Sequence, residues 1–475
     1  MAQDRFDTVL VANRGEIAVR IIRAAQDLGL RAVAVYSDAD ADSLAVRLAD
    51  AAVRIGPAHA SKSYLDGAAL LQAARDSGAG AIHPGYGFLS ENAAFAESVE
   101  QAGLVFVGPT PQAIRTMGDK AAARAAAMAA GVPTVPGSAG EIASADEAVE
   151  VALTMGWPVM IKASAGGGGR GIRVANDATE LRQQLPQAIS EATAAFGHGG
   201  VYLERFIARA RHIEVQILGD GERVIHCFER ECSLQRRRQK VWEEAPSPVL
   251  NAATRAALCD SALRLARAVS YRGAGTLEYL FDETTGEFFF IEMNTRIQVE
   301  HPVTEMVTGV DLVQEMIRIA LGHPLRLRQE DIALNGAAIE VRINAENAAR
   351  NFFPSPGQVS ALRVPGGPGV RFDTLMFAGC SVPAYYDSLL GKLIVHAHDR
   401  PAALRRLRRA LGELQVEGVH TTAPLHLALC TAPEVVAAQF HTGFLEPWLA
   451  SHPLTSPAQT AQTAPNSAAK PGDPA

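Results

Sequence analysis

The fold begins with residues 9–35, which read VLVANRGEIAVRIIRAAQDLGLRAVAV. A short apolar run at residues 9–11 comes first, and residues 17–28 then place Ile17, Ile21 and Leu28 at helical spacing. A second apolar run closes the segment. This order predicts a strand, a helix and a strand, which is a βαβ unit.

Three further apolar runs, at residues 53–55, 80–83 and 105–107, each lead into a loop with glycine or proline. Strands that alternate with helices predict an open, doubly wound parallel sheet, with functional loops at the carboxyl ends of its strands. Residues 1–118 are therefore predicted to form an N-terminal α/β domain.

The pattern changes after this domain. Residues 159–162 and 172–174 look like strands joined by a glycine loop, which predicts a small mobile lobe over about residues 135–206. Period-two runs that follow predict antiparallel strands, joined by a hairpin turn at residues 282–286. We expect residues 119–334 to form one domain that includes the small lobe.

The last regions are expected to differ from both. Residues 335–448 mix strand-like and helix-like runs and predict an α+β domain, whereas residues 449–475 are rich in Pro, Ala, Thr, Ser and Gln and predict a disordered tail. The chain as a whole is predicted to be a multi-lobed protein of the α/β and α+β classes.

Composition limits the choice of function. The hydrophobic fraction of 48% and the formal net charge of -7 are typical of a soluble globular protein without a global positive field. We therefore expect no nucleic-acid partner and no membrane. The N-terminus leaves no room for a targeting peptide, and the five cysteines form no CxxC pair, so a cytoplasmic location with reduced thiols is predicted.

A glycine-rich run follows Lys162 and reads SAGGGGRG at residues 164–171. Consecutive glycines let backbone amides approach phosphate oxygens, but the lysine precedes the glycines, so this is not a Walker loop. The run predicts a flap over a nucleotide, with Lys162 on a phosphate. The alternative is a mobile hairpin without function.

Acidic and amide side chains lie on two consecutive predicted strands. Glu292 and Asn294 are two residues apart and share a face, and a hairpin would bring Glu278 opposite them. Magnesium prefers such oxygen ligands together with nucleotide phosphates. The alternative is a solvated strand face.

Arg296 and Glu300 follow the second of these strands. An arginine fork can bind a small planar oxyanion, and a nearby glutamate can remove its proton. A structural ion pair between these two residues is an equally good interpretation of the pattern alone. The basic cluster at residues 235–240 is either an anion-binding part of the site, a solvated face or a weak nucleic-acid patch. The turn-rich loop at residues 83–92 is either part of the site or a rigid structural turn.

Together these motifs resemble the biotin carboxylase family, a branch of the ATP-grasp ligases. The resemblance extends over about residues 9–444, and its motifs occur in the family's order at residues 12–18, 83–92, 117–120, 162–171, 292–301 and 342–346. It implies a pre-ATP-grasp domain, an ATP-grasp domain with a glycine-rich lid, and a C-terminal domain.

The resemblance also implies roles for residues at matching positions. The implied ATP contacts are Lys120, Lys162, Gly168, Gly169, Glu204, Arg205, Phe206, Ile207, His212 and Arg238. The implied metal ligands, for Mg²⁺ or Mn²⁺, are Glu278, Glu292 and Asn294. Bicarbonate is assigned to Lys240, Arg296 and Val299, biotin to Tyr86 and Arg342, and catalysis to Arg296, Glu300, Lys240 and Arg342. Two departures are Arg238, where many members have histidine, and Ala165, where some have glycine.

The implied mechanism begins when Glu300 deprotonates bicarbonate, which attacks the γ-phosphate of ATP to give carboxyphosphate. Lys240 and magnesium neutralise charge, and Arg296 holds the anion. Carboxyphosphate then releases carbon dioxide, phosphate takes the ureido proton of biotin, and Arg342 stabilises the biotin enolate.

The expected partners follow from the same resemblance. Since the sequence has no Ala-Met-Lys-Met segment, biotin is expected on a separate biotin carboxyl carrier protein. The other expected partners of this protein are carboxyltransferase subunits. A homodimer is expected, acting in the first half-reaction of acetyl-CoA or related acyl-CoA carboxylation in fatty acid synthesis. The alternatives are another ATP-grasp ligase that joins a carboxylate to an amine, and an inactive regulatory subunit.

Overall fold

The computed structural model describes residues 4–163, 173–196 and 198–454. The predicted flap residues Gly168 and Gly169, with Ala165, lie outside the described residues, as do residues 455–475 of the predicted tail. The chain forms two compact units. The first unit comprises Met1–Asp7, Gly80–Ser233 and Glu244–Leu334, and the second comprises Thr8–Ala79, Leu234–Glu243 and Asn335–Ala475.

The α-helices of the described residues are α1 (Gly15–Asp27), α2 (Leu44–Leu48), α3 (Gly67–Ser77), α4 (Ala93–Gln101), α5 (Pro111–Gly118), α6 (Lys120–Ala129), α7 (Ala145–Met155), α8 (Ala178–Phe196), α9 (Ala252–Ala268), α10 (His301–Thr308), α11 (Leu312–Ala320), α12 (Arg400–Glu413), α13 (Ala423–Leu429), α14 (Pro433–Val436) and α15 (Leu445–Ser451). Short 3₁₀ helices cover Asp38–Asp40, Ala60–Lys62, Gln329–Asp331 and Ala348–Arg350.

The strands of the described residues are β1 (Thr8–Val11), β2 (Arg31–Ser37), β3 (Ala51–Gly56), β4 (Ala81–His83), β5 (Val105–Phe106), β6 (Val159–Ala163), β7 (Arg173–Ala175), β8 (Val201–Arg205), β9 (Ala210–Asp220), β10 (Val224–Arg236), β11 (Gln239–Ala245), β12 (Arg272–Asp282), β13 (Phe288–Asn294), β14 (Ala337–Asn344), β15 (Glu346–Asn347), β16 (Phe353–Pro354), β17 (Gly357–Gln358), β18 (Ala361–Arg363), β19 (Val370–Thr374), β20 (Ser381–Val382), β21 (Leu389–Ala397) and β22 (Gln415–Glu417).

The second unit contains the predicted βαβ segment. β1 pairs in parallel with β2, and β2 pairs in parallel with β3. Leu10 and Ile17 are fully buried, as the apolar pattern requires. In the first unit β4 and β5 also pair in parallel. The predicted parallel strands are therefore confirmed.

The second unit also contains a group of antiparallel strands. β14 pairs with β21, and β21 pairs with β19. Apolar residues of α12 and α13, such as Leu407 and Leu425, share one buried core with Ile339 and Leu393 of these strands. The fold is thus a mixed α/β fold.

The first unit is built around four antiparallel strands in the order β13-β12-β9-β10. Their core includes Ile213, Leu277 and Met293, against which Leu258 of α9 packs. The predicted turn joins β12 to β13, where Gly286 adopts a positive φ of 73° and donates its N–H to the Asp282 carbonyl. This hairpin fixes which residues of the two strands face each other.

A small lobe extends from the same unit. Its strands pair antiparallel in the order β7-β6-β8, and α7 and α8 contribute to a core of their own that includes Val159, Leu181 and Leu203. β6 carries Lys162, and β8 ends at Arg205. No helix among the described residues is long and apolar enough to cross a membrane.

Candidate active site

Four charged residues lie side by side across the antiparallel strands of the first unit. Arg230 of β10 pairs in register with Glu214 of β9, Glu214 pairs with Glu278 of β12, and Glu278 pairs with Glu292 of β13. Residues in register share a face of the sheet, so one guanidinium and three carboxylates form a continuous polar row. We call these four residues the charged row.

Glu278 accepts hydrogen bonds from two side-chain amides, one at the end of β13 and one in the loop that follows it. Its Oε1 accepts hydrogen bonds from Asn294 Nδ2 and Gln298 Nε2, both at 2.9 Å. Its Oε2 lies 3.1 Å from His212 Nε2. Since Gln298 Oε1 accepts from Arg230 Nη2, and arginine can only donate, the orientation of the Gln298 amide is determined. Both amides therefore fix the orientation of the Glu278 carboxyl group.

Glu292 completes the row on the cavity side. Burial raises the pKa of Glu292, and the negative charge of the facing Glu278 raises it further. Two facing carboxylates are stabilised by a divalent cation, and carboxylate and amide oxygens are the ligands that Mg²⁺ prefers. Glu278, Glu292 and Asn294 therefore fit a magnesium ion.

Arg230 supplies the opposite charge at the other end of the row. It is fully buried, and its five N–H donors reach Glu214, Gln216, Thr276, Gln298 and Thr304 at distances from 2.5 to 3.1 Å. Burial lowers the pKa of Arg230, but the carboxylates of Glu214 and Glu300 outweigh burial and raise it above its ordinary value. The row thus contains a permanent cation.

Arg296 is oriented by three hydrogen bonds. Its Nε donates to Glu91 Oε2 at 2.8 Å, its Nη2 to Asn294 Oδ1 at 2.9 Å and its Nη1 to the Ile297 carbonyl at 3.2 Å. Glu91 also accepts from the Thr295 N–H at 3.0 Å. The ion-pair partner of Arg296 is thus Glu91, and among the described residues two of the five Arg296 donors remain for an anion.

Glu300 lies close to the charged row. It is buried, with 2% of its surface exposed, and a carboxylate oxygen of Glu300 lies within 4.8 Å of ligand atoms of Glu214 and Cys232. Val299, next to it, is half-buried. A buried carboxylate near a guanidinium is a candidate general base.

A cavity of about 490 Å³ adjoins Glu292. It is lined by the side chains of Lys120 and Lys162, by Glu204, and by apolar residues such as Leu280 and Phe290. Lys162 forms an ion pair with Glu204. Two lysines and an apolar wall are suited to the phosphates and the base of a nucleotide.

The predicted hinge residues surround this region. Arg205 binds Asp282 at 2.9 Å and Glu287 at 3.1 Å, so it links the small lobe to the β12–β13 hairpin. The Phe206 N–H donates to the Pro158 carbonyl, and Ile207 is buried. Of the predicted nucleotide residues, the structure places Lys120, Lys162 and Glu204 in the lining of one cavity, whereas Arg205, Phe206, Ile207 and His212 are not part of that lining.

The loop at residues 83–92 is rigidly built. His83 Nδ1 accepts the Gly85 N–H at 3.1 Å, and Asn92 accepts the Phe95 N–H at 2.9 Å as the N-cap of α4. Tyr86 is half-buried, and the Glu91 side chain forms an ion pair with Arg296. The loop is thus connected to the anion-binding arginine.

The second unit carries the remaining predicted residues. Both Nε and Nη2 of Arg342 on β14 lie 2.7 Å from Glu243 Oε1. Lys240 lies on β11, and Arg238 lies in the turn before β11 with a positive φ of 66°. Arg342 is therefore fixed in place by a buried carboxylate.

Sequence reasoning missed several residues of these networks. Glu214 and Gln216 alternate with apolar residues after His212, so the period-two pattern of β9 could have placed them beside Glu278. Arg230, Glu91 and Glu243 carry no such signal, because their partners are distant in sequence.

The chain matches three family models. Their descriptions are "Biotin carboxylase, N-terminal domain" at residues 5–114, "Carbamoyl-phosphate synthase L chain, ATP binding domain" at residues 119–328 and "Biotin carboxylase C-terminal domain" at residues 340–447. Among relatives, it is 51% identical to biotin carboxylase 1 of Bacillus subtilis, covering 92% of this chain and 98% of that protein. It is 53% identical to biotin carboxylase of Pseudomonas aeruginosa, covering 89% and 94%.

Solved structures give the same result. A biotin carboxylase complex with β,γ-ATP from Campylobacter jejuni superposes with a TM-score of 0.85 at 46% identity, covering 93% of this chain and 99% of that one. The biotin carboxylase domain dimer of Hydrogenobacter thermophilus 2-oxoglutarate carboxylase, with MgADP, ADP and bicarbonate, superposes with a TM-score of 0.84 at 46% identity, covering 95% and 98%.

Proposed function

The chain belongs to the biotin carboxylase family, and from this premise we propose that it is an ATP-dependent ligase that carboxylates biotin with bicarbonate. The observation that carries this proposal is the arrangement at the end of β13. Facing carboxylates at Glu278 and Glu292 stand next to Arg296, which keeps two donors for a planar anion.

The metal site is proposed at Glu278, Glu292 and Asn294. A bound Mg²⁺ or Mn²⁺ ion would neutralise charge on the phosphates of ATP. The chain's own contribution is to orient Glu278 through the Asn294 and Gln298 amides and to hold Arg230 as a fixed cation in the row. This preorganisation avoids reorganisation during the reaction.

Bicarbonate is proposed to bind at Arg296, Val299 and Lys240. Glu300 then removes its proton, and the oxygen freed in this way attacks the γ-phosphorus of ATP. The bond to the β-γ bridging oxygen breaks, ADP leaves, and carboxyphosphate forms. The buried position of Glu300 beside the charged row supports its role as a base.

ATP is proposed to contact Lys120, Lys162, Glu204, Arg205, Phe206, Ile207, His212 and Arg238, and the flap residues Gly168 and Gly169. The cavity beside Lys120 and Lys162 supports this assignment. The ion pair with Glu204 holds the Lys162 side chain at the cavity wall, where a phosphate group would replace Glu204 as its partner.

Biotin is proposed to contact Tyr86 and Arg342. Arg342 would stabilise the negative charge of the biotin enolate, after phosphate from carboxyphosphate has taken the N1 proton. The buried Glu243 supports this role because it orients the guanidinium through two of its nitrogens.

We further infer a division into domains at residues 1–118, 119–334 and 335–448, and the three family matches support it. The predicted start of the tail at residue 449 falls inside α15, so we place the tail after Ser451. The family resemblance supports a biotin carboxyl carrier protein and carboxyltransferase subunits as partners, and a role in acyl-CoA carboxylation. A homodimer is supported by the dimeric relative. A cytoplasmic location stays a prediction from the sequence.

The test of this function is ATP cleavage by the purified protein. We expect cleavage to require bicarbonate and to rise when free biotin is added, with carboxybiotin as a product. Cleavage that is indifferent to both compounds would indicate a different ATP-grasp ligase.

Two variants test the assigned residues. Glu300→Gln removes the base, and we expect biotin carboxylation to fall by about 10² to 10⁴-fold in this variant. Arg296→Ala removes the anion site, and we expect biotin carboxylation to fall in this variant as well. Glu97→Gln, which changes an exposed glutamate paired with Arg115, is the control. Full activity in both site variants would contradict the assignment.

A further inference from the structure

The proposed chemistry leaves one basic and aromatic surface of the second unit unexplained. It consists of the β10–β11 turn and the loop before β16, and we call it the hairpin patch: Arg236, Arg237, Arg350, Asn351, Phe352 and Phe353. Arg237 and Arg350 are exposed, and Phe353 is 71% exposed. Large aromatic side chains at this exposure often mark interaction sites when they form a patch.

The hairpin patch is held together by specific contacts. The Arg236 guanidinium lies 3.8 Å from the centre of the Phe352 ring, and its Nη2 donates to the carbonyl and the Oδ1 of Asn351 at 3.2 and 3.1 Å. The Arg237 N–H donates to Glu446 Oε1 at 2.9 Å. A cavity of about 480 Å³ is lined by Arg236, Arg237, Asn351 and Phe352 of the patch and by Glu446. The patch is therefore a preformed surface.

The backbone of the patch is strained. Arg237 and Arg238 form a two-residue turn with φ of 49° and 66°, a turn in which asparagine and glycine are least strained. Asn351 and Phe352 also have positive φ, of 51° and 60°. These are four of the eight non-glycine residues with positive φ in the described part of the chain. Bulky residues kept in such a conformation indicate a functional site.

The charge of the patch contrasts with that of the chain. Arg237 and Arg350 are exposed arginines of a protein whose formal net charge is -7. Arg236 over the Phe352 ring, together with the exposed Arg237 and Arg350, places three positive charges beside an aromatic ring, and these exceed the two nearby negative charges of Glu346 and Glu446. Such a surface is complementary to an acidic protein surface and would steer its approach.

We propose that the hairpin patch is the docking surface for the protein that carries biotin, and that the carrier meets it with an acidic surface. This proposal rests on the proposed function. It is supported by continuity along the chain, because the turn leads directly into β11, which carries Lys240. A carrier bound at the turn is held beside the strand of the proposed bicarbonate lysine.

The test compares two forms of the same substrate. In the Arg237→Glu/Arg350→Glu double variant we expect kcat/KM for the biotinylated carrier to fall at least about tenfold, because like charges now face each other. Carboxylation of free biotin should keep its wild-type rate, because free biotin needs no docking surface. Arg267→Glu, at an exposed arginine of α9 in the first unit, is the matched control and should leave both rates unchanged.

Salt and a neutral substitution provide a second measurement. The wild-type rate with carrier should decrease as ionic strength rises, and this dependence should be weaker in Arg237→Gln/Arg350→Gln. Phe353→Ser should lower kcat/KM for the carrier without changing the salt dependence.

Two results would overturn the docking proposal: an unchanged kcat/KM for the carrier in both double variants, or an equal loss with free biotin. A wild-type protein that cannot carboxylate free biotin would instead contradict the proposed function itself.

Discussion

At the scale of single residues, the site is organised by charges that the chain buries in pairs. Arg230 connects most of the hydrogen-bond network of the charged row. It donates to Glu214 directly, and it is linked to Glu278 through the Gln298 amide. Glu91 has a similar role at the edge, where it orients Arg296 and the Thr295 backbone. Charged residues of this kind position the groups that are proposed to contact substrates.

Replacement of Arg230 by methionine should be strongly destabilising. The change leaves the fully buried Glu214 without its cation, and breaking a buried pair in this way costs about 3 to 5 kcal/mol. Thermal unfolding should show a large drop in Tm. Replacement of Arg264, whose partner Asp260 is exposed, should change Tm little. Equal effects of the two replacements would show that burial of Arg230 does not matter.

Glu91→Gln should affect bicarbonate more than ATP. The amide cannot accept from both Thr295 and Arg296 as the carboxylate does, so Arg296 loses its fixed orientation. We expect KM for bicarbonate to rise roughly tenfold, which corresponds to about 1.4 kcal/mol, with an unchanged KM for ATP. Steady-state kinetics against Glu97→Gln gives the comparison. A parallel rise in both constants would indicate a general loss of structure.

At the scale of elements, the site depends on how strands and helices end. The β12–β13 hairpin brings Glu278 opposite Glu292, and a one-residue slip would move one of them to the other face. The α6 helix begins at Lys120, directly after its N-cap Asp119, which accepts the Ala122 N–H at 2.8 Å. The cap thereby places a proposed phosphate ligand.

Asp119→Ala should weaken both the helix and nucleotide binding. Loss of the cap costs about 1 kcal/mol, and the first turn that carries Lys120 becomes less ordered. We expect a lower Tm together with a higher KM for ATP. Asp399→Ala removes the equivalent cap of α12 and is the matched control, which should lower Tm without a change in KM. If both variants leave KM unchanged, Lys120 does not depend on its cap.

At the scale of the whole molecule, the two units bury titratable groups that make stability depend on pH. Burial lowers the pKa of His426 from 6.5 to about 4, and its Nε2 donates to the Arg342 carbonyl at 2.8 Å. The unfolded chain takes up this proton near pH 6.5, whereas the folded chain resists it until about pH 4. Stability should therefore be unaffected above pH 6.5 and should decline between pH 6.5 and 4.

His426→Gln tests this dependence. At 1.4 kcal/mol for each pKa unit, the histidine accounts for roughly 3 kcal/mol of acid destabilisation. The variant should lose less Tm than the wild type when the pH is lowered from 7.5 to 5. An identical loss in both proteins would show that other groups determine the acid sensitivity.

The sequence by itself determined the parallel strands, the hairpin and the residues that resemble a biotin carboxylase site, because hydrophobic period and local turn chemistry are properties of neighbours in the chain. The register of β12 and β13 followed from the same pattern. Only the tertiary structure decided that Arg296 pairs with Glu91, that Arg342 pairs with Glu243 and that Arg230 anchors the charged row. Folding brings these partners together from separate segments of the chain. For Arg230 and Arg342, whose partners Glu214 and Glu243 are fully buried, the cost of burying an unpaired charge selects the counter-charge, and no local sequence pattern indicates it.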